Sequence, residues 1–313
     1  MVAADVLVVG DVLMDYQYLV EKIPLAGDEE KIKGAGKSIG GSALNAALAL
    51  QWQGVNCAFG GYVGRDEAGS FIVGELKKIG LNLSALQYGE RTGYCLTMID
   101  KTGERTMFAD RAASEKPLEF TPGLKQLLAG VRLFFLTGYY LVKEKQAEFS
   151  LKAARRVKDG GGLVALDPSP DIGLVDPATL ARMFSLTDII LPNERELAVL
   201  AGTNCQKKAV EFLMAEVPCI GLKLGPRGSL LSLRQGFKLP GGGVLTENKV
   251  WREAAAEIKP VDTTGAGDAF NGGFLASFLK KESPPQWLKT ANALAAEVIK
   301  RQGAATFYFE KGF

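Results

Sequence analysis

Short, wholly apolar runs alternate with longer stretches of helical apolar spacing along most of this chain. Val6–Val9 is a run of the first kind, closed by Gly10, and reads as a strand buried on both faces. Similar runs stand at 56–63, 133–136, 163–166, 188–191 and 219–222. Between them the spacing predicts helices over 42–53, 67–79, 143–158, 194–201 and 207–215, with two more at 268–279 and 285–301. Gly54 supplies a stop for the first of these. Strand and helix in turn predict an α/β sandwich around a largely parallel sheet.

Two segments break the rhythm. Residues 29–39 alternate like an exposed strand, and 93–110 alternate about a turn at Asp100-Lys101-Thr102-Gly103, which predicts a hairpin. The apolar run at 131–141 is too short to span a bilayer and contains Arg132 and Gly138. At the N-terminus, residues 1–9 lack a basic leader and meet Asp5 early, so they read as a first strand and not as a signal peptide. A cytoplasmic enzyme is the expectation.

Composition narrows the chemistry. A chain of 313 residues with 47% hydrophobic content can bury a large core. Lys plus Arg number 37 against 35 acidic residues, so no global field draws the chain to nucleic acid or a membrane surface. Neither is expected as a partner. Cys57, Cys95, Cys205 and Cys219 are widely spaced and read as reduced, packed residues. The chain has no histidine, which excludes Ser-His-Asp hydrolysis, Cys-His proteolysis, histidine-ligated metals and a histidine base.

The strongest chemical signal is Asp262-Thr263-Thr264-Gly265-Ala266-Gly267-Asp268-Ala269-Phe270-Asn271-Gly272-Gly273-Phe274. Gly265 and Gly267 leave room for backbone N–H groups to converge at a helix start, where partial positive charge favours an anion. Asp268 follows in the first turn, placed to accept a hydroxyl proton while those groups stabilise a transferring phosphoryl group. The duller alternative is a Gly-rich turn with Asp268 as a helix-start charge. Gly34-Ala35-Gly36-Lys37-Ser38 is not a P-loop, since Lys31 stands where the first glycine is required.

The run at 262–274 resembles the C-terminal signature of the ribokinase-like (PfkB) family of carbohydrate and nucleoside kinases. Gly40-Gly41-Ser42-Ala43-Leu44-Asn45-Ala46 is similar to its N-terminal signature, and Gly10-Asp11-Val12-Leu13-Met14-Asp15 to its first strand end. Leu191-Pro192-Asn193-Glu194-Arg195-Glu196 carries an Asn-x-x-Glu element, and Lys223-Leu224-Gly225-Pro226-Arg227-Gly228 resembles a nucleotide-side loop. The matches keep the family's order over nearly the whole chain. They imply a single kinase domain over 1–313: a three-layer α/β/α sandwich with a mainly parallel central sheet. A small β-sheet lid, from about 12–39 and 89–112, would cover the substrate and pair with a second lid in a homodimer.

The resemblance also implies roles. Asp268 would be the base, and Gly265, Ala266 and Gly267 the anion hole. Asp15, Gly40, Gly41 and Asn45 would bind the acceptor, with Phe108 and Arg111 facing it from the lid. Asn193, Lys223, Gly225, Gly228 and Asn292 would lie along ATP. Glu196 would organise Mg²⁺ through water, and Asp262 and Thr264 would help hold a monovalent cation such as K⁺, as their counterparts do in some members.

Local readings compete with several of these roles. Asn193 with Glu196 is also an ordinary capping box, Asp15 a turn residue, Asn45 a capping or packing residue, Lys223 a surface charge, and Arg111 a brace for the hairpin through Asp110 or Glu104. Ser42 stands where ribokinases carry a lysine near the sugar. The resulting expectation is ATP-dependent phosphorylation of a hydroxyl of a small sugar or sugar acid, by a fructokinase-like, 2-keto-3-deoxygluconate kinase-like or ribokinase-like enzyme. The alternatives are a nucleoside kinase, with Phe108 stacked on the base, and a non-catalytic sugar or nucleotide sensor. Arg91, Arg105 and Arg111 also leave room for an acceptor that is already phosphorylated.

Overall fold

In the computed structural model, which describes residues 4–310, the chain begins with β1 (Val6–Val9), β2 (Leu13–Leu19), β3 (Gly34–Gly40), α1 (Ser42–Trp52), β4 (Cys57–Gly60) and β5 (Tyr62–Gly64). Next come α2 (Glu67–Lys78), β6 (Gln87–Gly89), β7 (Gly93–Ile99), β8 (Arg105–Asp110), α3 (Pro122–Gly130), β9 (Leu133–Thr137), α4 (Glu144–Asp159) and β10 (Leu163–Asp167). It continues through α5 (Pro177–Phe184), β11 (Ile189–Ile190), α6 (Glu194–Ala201), α7 (Gln206–Glu216), β12 (Cys219–Lys223), β13 (Ser229–Leu233) and β14 (Lys249–Glu253). It closes with α8 (Ala266–Leu279), α9 (Pro284–Val298) and α10 (Thr306–Glu310). The part of the N-terminal reading that falls on Met1, Val2 and Ala3 lies outside the described residues.

The continuous apolar runs have a physical cause in the layering. Val6 and Val8 of β1 face a core shared with α1, α8 and α9, whereas Leu7 and Val9 face the core under α3, α4 and α7. On β9, Leu133 and Phe135 divide from Phe134 and Leu136 in the same way. A strand covered on both faces needs apolar residues at every position. The main sheet runs in the order β14-β13-β12-β11-β10-β9-β1-β4, parallel from β4 to β12. Its last two strands are antiparallel. That edge was not anticipated: Ser229 and Ser232 interrupt β13, and β14 is largely exposed, so neither has the pattern of a central strand.

The expected helices all form, with differences only at their ends. α3, α5 and α10 are additions. The run expected over 56–63 divides, because β5 leaves the main sheet to pair with β6. Among the described residues no helix is long and apolar enough to cross a membrane.

β3, β2, β7 and β8 form the separate small sheet in that order. The hairpin of β7 and β8 is the expected one, and Asp100 Oδ1 holds its turn by accepting from the N–H groups of Thr102 and Glu104 at 2.8 and 3.1 Å. Register fixes two faces. Asp15, Cys95 and Ala109 share one, and Tyr16, Leu96 and Phe108 the other.

α1 and α8 pack unusually close. A Cβ on Gly272 would lie 2.3 Å from Ala49 Cβ, so only glycine permits the approach. Farther along α8, Phe274 and Phe278 meet Trp287 edge-on at 5.6 and 5.0 Å, fixing the helix against α9. This packing brings the first turns of α1 and α8 together over the carboxyl ends of the main sheet's strands. The site is built there.

Candidate active site

Gly265 caps α8 in the left-handed region at φ 77°, and a Cβ there would sit 2.5 Å from Ala304 Cβ. The turn leaves the N–H groups of Gly265, Gly267 and Asp268 without an acceptor among the described residues. Ala266 N–H instead donates to Thr263 O at 3.3 Å. Free donors at the start of a long helix make an anion cradle.

Asp268 stands in that first turn and is held from α1. Ser42 Oγ donates to its Oδ1 at 2.6 Å and Asn45 Nδ2 to its Oδ2 at 2.9 Å. Asn45, expected on the acceptor, therefore orients the carboxylate as well. Ser42 is a site residue that the sequence reading noted only as a departure. Burial pushes Asp268 up to about 6, against the opposing effect of these two hydrogen bonds.

Asp15 lies on the lid strand β2, its carboxylate against Gly40. A Cβ on Gly40 would meet Asp15 Oδ2 at 2.0 Å, while Gly41, at φ 110°, lets the chain pass Asp11 O. No group among the described residues hydrogen-bonds the Asp15 carboxylate. Burial, then the charges of Asp268 and Asp262, raise it to about 7. Two ionisable carboxylates thus sense each other where the lid meets the strand ends.

Beneath the cradle, Lys223 at the end of β12 donates to Asp167 Oδ2 at 3.1 Å and Asn271 Oδ1 at 3.4 Å. Asn271 Nδ2 closes the triangle by donating to Asp167. A Cβ on Gly267 would lie 3.7 Å from Lys223 Nζ, so the ammonium sits directly under the first turn of α8. Burial would lower Lys223, but Asp167 and Glu196 hold it above its ordinary value. Asp167 was missed, although it ends a parallel strand where such sheets present ligand-facing residues.

Asn193 and Glu196 form a full capping box: Glu196 Oε2 accepts from Asn193 N at 2.8 Å, and Glu196 N donates to Asn193 Oδ1 at 2.9 Å. Glu196 is buried, which raises its carboxyl. Gly225 and Gly228 flank the turn between β12 and β13 with positive φ; a Cβ on Gly228 would strike Glu253 O. Asn292 Nδ2 donates at 3.3 Å to Glu253 O and Ala254 O, so this side chain ties α9 to the end of β14.

The lid arginines are all paired. Arg91 Nη2 meets Asp110 at 2.7 Å, and Arg111 forms an ion pair with buried Asp11 while its guanidinium lies 4.1 Å from the Tyr139 ring. Arg105 donates at 2.7 Å to Thr264 and 2.6 Å to Asp262, the two residues expected to hold a monovalent cation. The brace of Arg111 is thus Asp11, not Asp110 or Glu104. Phe108 is a correction: its register puts it on the lid face opposite Asp15, where it is exposed.

Among the described residues no cluster of three acidic or thiol side chains could cage a metal. A groove of about 890 Å³, lined by Lys125, Lys152, Arg155, Arg156 and Arg182 together with Glu148 and Asp159, lies where α4 leads into the start of β10, at the opposite end of the sheet from Asp268.

A parallel sheet with an anion cradle, a buried carboxylate and a β lid at one end defines a phosphotransferase acting on a small alcohol. The chain belongs to the pfkB family of carbohydrate kinases, whose model matches residues 3–311. It is 25% identical over 300 residues to a nucleoside kinase of Methanocaldococcus jannaschii, covering 95% of this chain and 91% of that one. It is 27% identical to an ATP-dependent ribose-1-phosphate kinase of Halopiger xanaduensis, covering 96% and 93%. An Arabidopsis thaliana ribokinase solved with ribose and ATP has the same fold, with TM-score 0.82 at 23% identity over 98% of this chain and 96% of that one.

Proposed function

We propose that this kinase transfers the terminal phosphoryl group of ATP to a hydroxyl of a small neutral sugar. The observation that carries the reading is the pair of Asp15 and Asp268, two raised carboxylates beside free N–H donors. Asp15 would accept two sugar hydroxyls, and Gly40, Gly41 and Asn45 would line the acceptor. Asp268 takes the proton of the attacking hydroxyl as its oxygen bonds to the terminal phosphorus. The bond from that phosphorus to its bridging oxygen breaks, and ADP leaves with the electron pair. The free N–H groups of the cradle and the Lys223 charge stabilise the phosphoryl group in flight.

ATP would lie along Lys223, Gly225, Gly228 and Asn292. Asn193 donates once to each Glu196 oxygen, which leaves a lone pair on each to accept from the waters of a magnesium ion. When bound, that ion would neutralise phosphate charge.

The lid supports a substrate class. Arg91, Arg105 and Arg111 each face a carboxylate, which supports a neutral acceptor over a sugar acid or sugar phosphate. A nucleoside would have to find its aromatic platform elsewhere than at Phe108. Exposed Tyr94 and Phe108 on the outer face suit pairing of two lids in a homodimer.

Acceptor-dependent ADP formation tests the reading across fructose, ribose, 2-keto-3-deoxygluconate, fructose phosphates and nucleosides. A neutral sugar is expected to give the highest kcat/KM. Preference for a nucleoside or a phosphorylated sugar overturns the substrate class, and silence with ATP bound favours a sensor.

The pH profile provides a further check. A base must be ionised, and Asp268 titrates near 6. Activity is therefore present above that value, and kcat/KM is expected to fall on acidification as Asp15 protonates near 7 and more steeply through about 6 as Asp268 does. A flat profile between pH 5 and 8 would remove Asp268 as the base.

A further inference from the structure

Arg105 belongs to the lid by sequence and to the anion cradle by its contacts. It opens β8, opposite Ile99 on β7, on the sheet face that carries Asp15. Its guanidinium reaches off the lid with both arms. Nη1 donates to Thr264 Oγ1 at 2.7 Å and Nη2 to Asp262 Oδ1 at 2.6 Å. Asp262 is buried, and its other contacts belong to the backbone around the cradle: Oδ1 accepts from Thr264 N at 2.7 Å and Oδ2 from Gly303 N at 2.9 Å. Thr264 directly precedes Gly265, and Ala304, next to Gly303, is the residue against which Gly265 packs. A second polar contact parallels it, since Gln302 Nε2 donates to Gln17 Oε1 at 3.1 Å. Gln17 lies two positions along β2 from Asp15, on the same face.

We propose that Arg105 is a positioning residue, a latch that fixes the 262–265 turn when the lid is closed and so ties acceptor binding to the shape of the cradle. This rests on the kinase reading above. A forked guanidinium suits the task, because it holds a carboxylate and a hydroxyl at once in fixed relative position. The lid strands belong to the small sheet and the cradle to the start of α8, so contacts such as this one set how the two sit. With the latch made, a sugar on Asp15 favours the lid position in which the free N–H groups of Gly265, Gly267 and Asp268 are held in place. With the lid open, Asp262 loses its cation and the turn loses two of its anchors.

Three variants and two readouts test this. Arg105→Ala is expected to lower kcat by about tenfold or more, the scale of lost charged hydrogen bonds, with a smaller change in acceptor KM. Arg105→Lys should recover part of that loss, because an ammonium replaces the charge without the fork. Thr264→Val, which leaves the ion pair intact and guards against a misfolded alanine variant, should fall between wild type and Arg105→Ala. Hydrogen exchange of the ligand-free protein supplies the readout that needs no acceptor. The hydrogen-bonded amides of Thr264, Ala266 and Gly303 should exchange faster in Arg105→Ala, while those of β9 and β10 keep wild-type protection. Unchanged kcat in all three variants, or unchanged exchange at Thr264, Ala266 and Gly303 in Arg105→Ala, overturns the latch. Faster exchange confined to those amides supports it even if the acceptor panel is silent, so the two readings fail separately.

Discussion

Asp268→Asn is expected to lower kcat by roughly a hundredfold or more, the scale of lost general-base help, with ATP still bound. The amide keeps the shape and the Ser42 hydrogen bond, and Asn45 can turn its own amide to meet it. Only the capacity to take a proton is lost. A stability measurement shows that the variant is folded and tests the electrostatics at once. Asp268 titrates near 6 in the folded chain against an ordinary 3.8, so ionising it costs the folded state. Its contribution is favourable below about 4 and is lost as pH rises through 6. Asparagine should therefore raise Tm at pH 8, by up to about 3 kcal/mol of stability, and leave it nearly unchanged at pH 4. Full turnover in the folded variant would take the base role away from Asp268.

The large sheet and its helices were legible because double burial writes itself into sequence as unbroken apolar runs, as at Val6–Val9 and in β9. The antiparallel edge was not, since Ser229, Ser232 and exposed β14 carry no such demand. At the site, the run from Asp262 to Phe274 marked a glycine-flanked helix start with a carboxylate in its first turn, and both form. The partners were harder. Ser42 and Asn45 reach Asp268 only because Gly272 lets α8 close on Ala49 of α1, a contact far apart in the chain. Arg105 and Asp262 are also far apart in the chain, and nothing in either neighbourhood points to the other. Phe108 shows the limit of motif reading from the other side. Proximity in sequence to Arg111 suggested a shared direction, and strand alternation decided against it.

Asp15→Ala is expected to lower kcat/KM for the sugar by roughly a hundredfold, as loss of two charge-assisted hydrogen bonds would, chiefly through KM. The expectation comes from what the carboxylate lacks. Half-buried and raised to about 7, it has no hydrogen-bond donor among the described residues, while comparable groups nearby are paired. A carboxylate kept desolvated and unpartnered is unfavourable unless a ligand supplies the donors, and sugar hydroxyls do so without adding charge. ATP affinity should stay unchanged, because the nucleotide side proposed at Lys223 lies across the cradle from Asp15. Asp15→Asn separates hydrogen bonding from charge. The amide donates where the carboxylate could only accept, so sugar affinity still falls. A charge interaction is mutual, so neutralising Asp15 also relieves Asp268, and the acidic limb of kcat/KM should move to lower pH. An unchanged limb together with wild-type KM would mean that Asp15 faces neither the sugar nor the base.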